Sequence, residues 1–146
     1  MLNMIRVGEL APEFSFTSND GKVVKLSELL VKGPICLVFY PADETPVCTV
    51  QLCEIRDNWE LLTQKGVQVL GINPSTVARH EKFAEKNSLP FPLVHDEDAK
   101  IAKSYGSHIL LGLIYRTVYL IDHHGKVLFA QRGKPSVHEI LSAVQI

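Results

Sequence analysis

The sequence predicts an α/β domain built on a mixed central sheet, with helices on both faces and a β-hairpin at the N-terminus. Three observations carry this. Residues 35–40 and 67–72 are continuous apolar runs, the pattern of strands buried on both faces. Between them Leu52, Ile55, Trp59 and Leu62 recur at helical spacing, so strand, helix and strand form a βαβ unit with a right-handed crossover and parallel pairing. Later, residues 116–121 and 127–131 flank Asp122-His123-His124-Gly125, which reads as an antiparallel hairpin.

The remaining elements fit around that frame. Phe14-Ser15-Phe16-Thr17 alternates, Ser18-Asn19-Asp20-Gly21 supplies a turn, and Val23-Val24-Lys25-Leu26 completes the N-terminal hairpin. After the second apolar run, Asn73-Pro74-Ser75 opens a helix to about Lys86, with Phe83 and Ala84 on its apolar side. Pro90 and Pro92 break the chain. Residues 98–105 read as a short helix stopped by Gly106. Ser136-Val137-His138-Glu139 is a capping box, and its helix is expected to end near Ile146. A parallel β-α-β-α half, an antiparallel hairpin and a final helix are the order of the thioredoxin fold, here with an added hairpin, in one domain spanning residues 1–146.

Composition narrows the function. The apolar fraction of 46% and charged fraction of 21% are ordinary for a globular chain. A formal charge of −1 and the lack of a basic patch with interleaved aromatics argue against a nucleic-acid or acidic-membrane partner. Residues 1–10 show no basic-then-apolar run, so no signal peptide is expected. The longest apolar stretch, residues 109–115, is far short of the roughly 20 residues that span a bilayer. A cytoplasmic location is the default expectation. In a reducing compartment, a close pair among three cysteines points to catalysis, redox exchange or metal binding rather than a structural staple.

The informative stretch runs from Tyr40 to Cys53, where the first apolar strand ends and the long helix begins. Sites in open α/β sheets gather beyond the carboxyl ends of strands. A helix N-terminus presents unpaired N–H groups and partial positive charge, which favour a thiolate in the first turn. Cys48 occupies that turn, Pro46 suits its first position, and Thr45 is placed to cap the helix or to hydrogen-bond the sulfur or its substrate.

The segment Pro41, Thr45, Cys48, at spacings of four and three, resembles the signature of the peroxiredoxins. Cys53, five positions on, resembles the bacterioferritin-comigratory-protein, or Q-type, group. Val7-Gly8-Glu9-Leu10-Ala11-Pro12-Glu13-Phe14 is similar to that family's opening. Arg116-Thr117-Val118-Tyr119-Leu120-Ile121-Asp122 is similar to its late strand. The resemblance implies a thiol peroxidase. Cys48 is then the peroxidatic cysteine, attacking a hydroperoxide to become a sulfenic acid. Thr45 and the N–H groups of Val47 and Cys48 hold the peroxide oxygens, with Pro41 and Val47 shaping the substrate site. Arg116 favours the thiolate and stabilises charge on the leaving oxygen. Cys53 is the resolving cysteine, closing a disulfide that a thioredoxin-like protein reduces. The same resemblance implies hydrogen peroxide or organic hydroperoxides as substrates, no cofactor, and a monomer or weak homodimer. It requires a sulfur open to a small oxidant.

Three residues or segments depart from the group's pattern. Val47 stands where glycine is frequent and narrows the approach to the sulfur. Gln51 stands where glutamate is common and can orient an arginine only as a neutral acceptor. Residues 108–115 look short and apolar, a candidate patch for self-association or docking. Cys36 lies inside an apolar strand and reads as a core residue. His123 and His124 fall in a turn, and His80 and His138 sit on helices among charged residues. No His-rich cluster, phosphate loop or dinucleotide fingerprint appears, and two cysteines cannot complete a four-ligand zinc site. Competing readings are a general thiol–disulfide oxidoreductase, disfavoured by the missing two-residue spacer, and a non-enzymatic redox sensor.

Overall fold

The computed structural model describes residues 3–18 and 20–144. Its main sheet runs in the order β5-β4-β3-β6-β7. The central strand β3 (Ile35–Phe39) pairs in parallel with β4 (Gln68–Asn73) and antiparallel with β6 (Thr117–Ile121). β5 (Leu93–His95) extends the parallel side, and β7 (Val127–Arg132) closes the antiparallel side. A separate hairpin joins β1 (Ser15–Thr17) and β2 (Val23–Lys25). This is the thioredoxin-like arrangement expected from the sequence. Asn19 of the expected turn lies outside the described residues.

The period of two along each strand splits the core cleanly. Ile35, Leu37 and Phe39 of β3 join Leu70, Ile72, Tyr119 and Ile121 on one face, under α1 (Leu26–Leu30) and α5 (Lys100–Ser104). Cys36, Val38, Val69, Val118 and Leu120 face the other way. There they meet α2 (Pro46–Asp57), α3 (Trp59–Gln64), α4 (Val77–Lys86) and α6 (Val137–Ser142). Each fully buried Leu, Ile or Phe contributes about 1.5–3 kcal/mol, so the two faces anchor whatever sits at the ends of the strands.

Several expected elements come out differently, for local reasons. The long helix is two: Asn58 leaves helical geometry at φ −108°, and its side chain donates to Glu54 O, ending α2 before Trp59 begins α3. α4 starts later than expected, because Thr76 rather than Ser75 accepts from Arg79 N and caps it. The 98–105 helix is shortened. Asp98 and Ala99 have φ of 57° and 55°, so only Lys100–Ser104 is α-helical after a single 3-10 turn. Gly106 does turn the chain there with φ +66°, and a Cβ would strike the Asn3 carbonyl. α1 and β5 were not foreseen. The capping box at Ser136 and Glu139 forms, but α6 stops at Ser142, and Gln145 and Ile146 lie outside the described residues. No helix among the described residues is long and apolar enough to cross a membrane.

Candidate active site

α2 begins beyond the carboxyl end of β3, in the position that parallel pairing with β4 dictates. Pro46 opens the helix with no N–H to lose. The first helical hydrogen bond runs from Thr49 N to Thr45 O at 2.9 Å. The N–H groups of Val47 and Cys48 precede it and have no intrahelical carbonyl to reach. Cys48 sits among them, so its sulfur lies at the positive end of a twelve-residue helix.

Arg116 stands one residue before β6, the antiparallel neighbour of β3, where Thr117 pairs with Phe39. Its Nη2 donates to Cys48 Sγ at 3.2 Å, and its Nη1 donates to Gln51 Oε1 at 2.5 Å. Gln51 is three residues after Cys48 and therefore on the same helix face. A neutral amide thus does orient the guanidinium. Gln51 Nε2 is buried with no partner. A second arginine fixes the strand behind Arg116: Arg132 donates to Thr117 Oγ1 and Gly106 O, both at 2.8 Å, and lies over the Tyr115 ring. Arg132 carried no signal in the sequence.

The other expected residues fall as follows. The Thr45 side chain does not cap α2; its hydroxyl reaches Ala42 O at a long 3.4 Å. Pro41 is exposed, directly after the end of β3 and Tyr40. Val47 is 48% exposed, a surface side chain at the rim of the helix start. Cys48 itself is 0% exposed. The expected open sulfur is therefore covered, because the helix turn packs it against the apolar layer of Val38, Leu52 and Val118. Cys53 is half-buried on the same helix. All three cysteines are free.

Sequence reasoning missed a buried polar cluster immediately before the helix. Asp43, in the 41–45 loop, accepts from Tyr40 Oη at 2.6 Å and Asn73 Nδ2 at 3.3 Å, and pairs with His80 Nδ1 at 2.7 Å. In the sequence His80 lies on a helix among charged residues. It is buried, and its Nε2 faces Val94 O at 3.1 Å. Burial alone would raise the Asp43 carboxyl; hydrogen bonds from His80, Tyr40 and Asn73 outweigh it and hold the carboxyl below the ordinary range. Burial first, then Asp43 and Cys48, push the Tyr40 phenol well above its usual range. The loop is pinned at Asp43, and Glu44 takes a left-handed φ of 66° to deliver Thr45 to the helix start. Burial alone pushes the Cys36 thiol up to about 12, leaving a thiol in the core. Among the described residues no group of three His, Cys, Asp or Glu could hold a metal ion.

This geometry offers a nucleophilic sulfur beside a fixed cation and free N–H donors, suited to attack on a small electrophile whose leaving atom gains negative charge. Comparison with known proteins points the same way. The chain is 40% identical over 144 residues to a chloroplastic peroxiredoxin Q of Triticum aestivum, matching 94% of this chain and 66% of that one. The chain thus spans about two thirds of the length of that relative. It is 39% identical over 130 residues to a putative peroxiredoxin bcp of Coxiella burnetii, matching 84% of this chain and 85% of the other. The crystal structure of peroxidoxin BcpB from Mycobacterium tuberculosis superposes with a TM-score of 0.89 at 31% identity, covering 97% of both chains. A profile of the AhpC/TSA family matches residues 7–130, and the chain belongs to that peroxiredoxin family.

Proposed function

We propose that this protein is a thiol peroxidase that reduces hydrogen peroxide and organic hydroperoxides through Cys48. The observation that carries the reading is the 3.2 Å approach of Arg116 to Cys48 Sγ at the N-terminus of α2. The Cys48 thiolate attacks the terminal peroxide oxygen, the O–O bond breaks, and the alkoxide or hydroxide leaves and takes a proton. Cys48 is thereby oxidised to a sulfenic acid. Arg116 and the helix N–H groups oppose the charge that develops on the leaving oxygen. The Thr45 hydroxyl, with only a long contact to Ala42 O, is free to turn toward the substrate. Pro41 and Val47 form the rim the peroxide passes. Because Cys48 is covered, that rim must shift for the substrate to enter.

Cys53 is the partner that resolves the sulfenic acid. Its thiolate attacks the Cys48 sulfur, the S–O bond breaks, and water leaves after protonation. A thioredoxin-like dithiol protein reduces the disulfide by exchange. Exposed Ile109, Leu110, Leu111 and Leu113 beside this end of the sheet offer a docking or weak dimer surface.

The test is steady-state peroxide consumption with a thioredoxin system. Cys48→Ser abolishes it, Cys36→Ser leaves it unchanged, and Arg116→Met slows the reaction of peroxide with the reduced protein by roughly 10²–10³. Cys53→Ser gives one turnover and then stops. A peroxide rate no faster than that of an ordinary thiol, unchanged by Cys48→Ser, overturns the reading.

A further inference from the structure

Cys53 and Arg56 lie three residues apart on α2 and therefore on one face. Both meet a single residue, Asn87, which caps the C-terminus of α4. Cys53 Sγ lies 3.7 Å from Asn87 Oδ1, within reach of an S–H hydrogen bond, and Arg56 Nη1 donates to the Asn87 carbonyl at 2.7 Å. The Asn87 amide cannot be turned the other way at no cost. Its Nδ2 donates to Phe83 O at 3.0 Å, which leaves Oδ1 facing the sulfur as an acceptor. The Asn87 main-chain N–H also bonds Phe83 O, at 3.1 Å, and Ser88 turns the chain with φ 50°. Asn87 is thus fixed to its own helix at two points and grips its neighbour at two more.

The grip falls on one of the two residues that a disulfide has to bring together. Two cysteines five apart on an intact helix have Cα atoms ~8.7 Å apart, from a rise of ~1.5 Å per residue and a radius of ~2.3 Å. A disulfide needs at most about 7 Å. At least one end of α2 must therefore unwind, and Cys53 can move toward Cys48 only by leaving Asn87. Only the thiolate attacks a sulfenic sulfur, so the S–H that reaches Asn87 Oδ1 has to give up that contact first.

We propose that Asn87 is a positioning residue for the second step: it holds Cys53 as a hydrogen-bonded thiol and so sets the lifetime of the Cys48 sulfenic acid. This rests on the reading of Cys53 as the resolving cysteine. The lifetime matters because the sulfenic acid has two fates. In one, Cys53 attacks and water leaves. In the other, the sulfenate attacks a second hydroperoxide, whose O–O bond breaks to release an alcohol or water, and Cys48 becomes a sulfinic acid. A tight grip favours the second fate as peroxide rises, and a loose grip favours the disulfide.

The test uses the full chain, reduced and then mixed rapidly with hydrogen peroxide. Sulfenic acid, disulfide and sulfinic acid are followed by quenching and mass spectrometry. Asn87→Ala removes the acceptor and speeds disulfide formation by about fivefold, the rate equivalent of one ordinary hydrogen bond, and it lowers the sulfinic fraction at high peroxide. Asn87→Asp sets a carboxylate against the sulfur, opposes its ionisation, slows the same step and moves its pH profile upward. Neither substitution changes the rate of the first oxidation. Opposite signs from two substitutions at one site are what a merely structural role does not produce. Equal rates, or changes of the same sign, overturn the proposal. Should both variants fail to fold, Arg56→Met loosens the grip from the α2 side, and unaltered disulfide formation in it is equally fatal. Cys53→Ser is run alongside: if its products match the wild type, the resolving role itself fails, whatever Asn87 does.

Discussion

Gln51 holds Arg116 through an uncharged oxygen at 2.5 Å, and the other end of the same guanidinium reaches Cys48. Among the described residues no carboxylate pairs with that guanidinium, so no ion pair offsets its charge beside the sulfur. Gln51→Glu adds a negative charge one helical turn from Cys48. A like charge at that range disfavours a thiolate, even though the grip on Arg116 tightens. The rate of peroxide with the reduced protein, measured against pH, should therefore move to higher pH in the variant, with the plateau rate kept. A profile that moves to lower pH shows that orientation of Arg116 outweighs charge.

Asp43 gives the fold an acid-sensitive fastening. Its carboxyl is held below the ordinary value by His80, Tyr40 and Asn73 against the opposing effect of burial. The stability it contributes is fully present above the unfolded carboxylate value of about 3.9 and is lost as pH falls through the lower folded value. Asp43→Asn replaces the carboxylate that meets His80, Tyr40 and Asn73 with an amide offering a single acceptor oxygen, which leaves buried polar groups unsatisfied and costs about 1–3 kcal/mol at neutral pH. Urea unfolding across pH 2–7 should show that cost at neutral pH and a shallower fall in acid than the wild type. Parallel curves would mean that the pair carries no linkage.

What could be read ahead of the structure follows from how local each signal is. The 40–53 stretch was legible because Pro46, Cys48 and the end of β3 are neighbours in the chain, so strand end, helix start and sulfur follow from one run of residues. Arg116 was reachable only through its resemblance to a late-strand arginine. Asp43 and His80 are 37 residues apart, and nothing local joins them. The available hint was that His80 stands three residues before Phe83, on the inward stripe of α4, which argued against a solvent-facing histidine. The break at Asn58 and the three residues of β5 depend on side-chain capping and on a neighbouring strand, neither of which periodicity records.

Cys36 separates burial from reactivity. It sits on β3 with its thiol raised to about 12 by burial alone. At pH 8 its thiolate is roughly one part in 10⁴, so it is inert to alkylation. In a Cys48→Ser/Cys53→Ser double variant, iodoacetamide at pH 8 should label nothing while the protein is folded, and one site after unfolding in urea. Labelling of the folded form on the time scale of a free thiol would show that β3 opens to solvent.

The bond between Cys48 and Cys53 requires α2 to come apart, and its fastenings predict how. Its first half is tied by Arg116 at Cys48 and Gln51, and its second by Asn87 at Cys53 and Arg56 and by Glu54, which accepts from Val137 N at 3.3 Å. Closing the disulfide breaks helical hydrogen bonds between the two sulfurs, so amide protons over residues 45–56 lose protection, while β3 and β4, buried on both faces, keep theirs. Exchange by mass spectrometry on reduced and oxidised protein should show a loss of at least about tenfold in that segment, equivalent to ~1.4 kcal/mol of local stability. Equal protection in the two forms would mean that the helix stays wound, and a wound helix cannot bring these two sulfurs within bonding range.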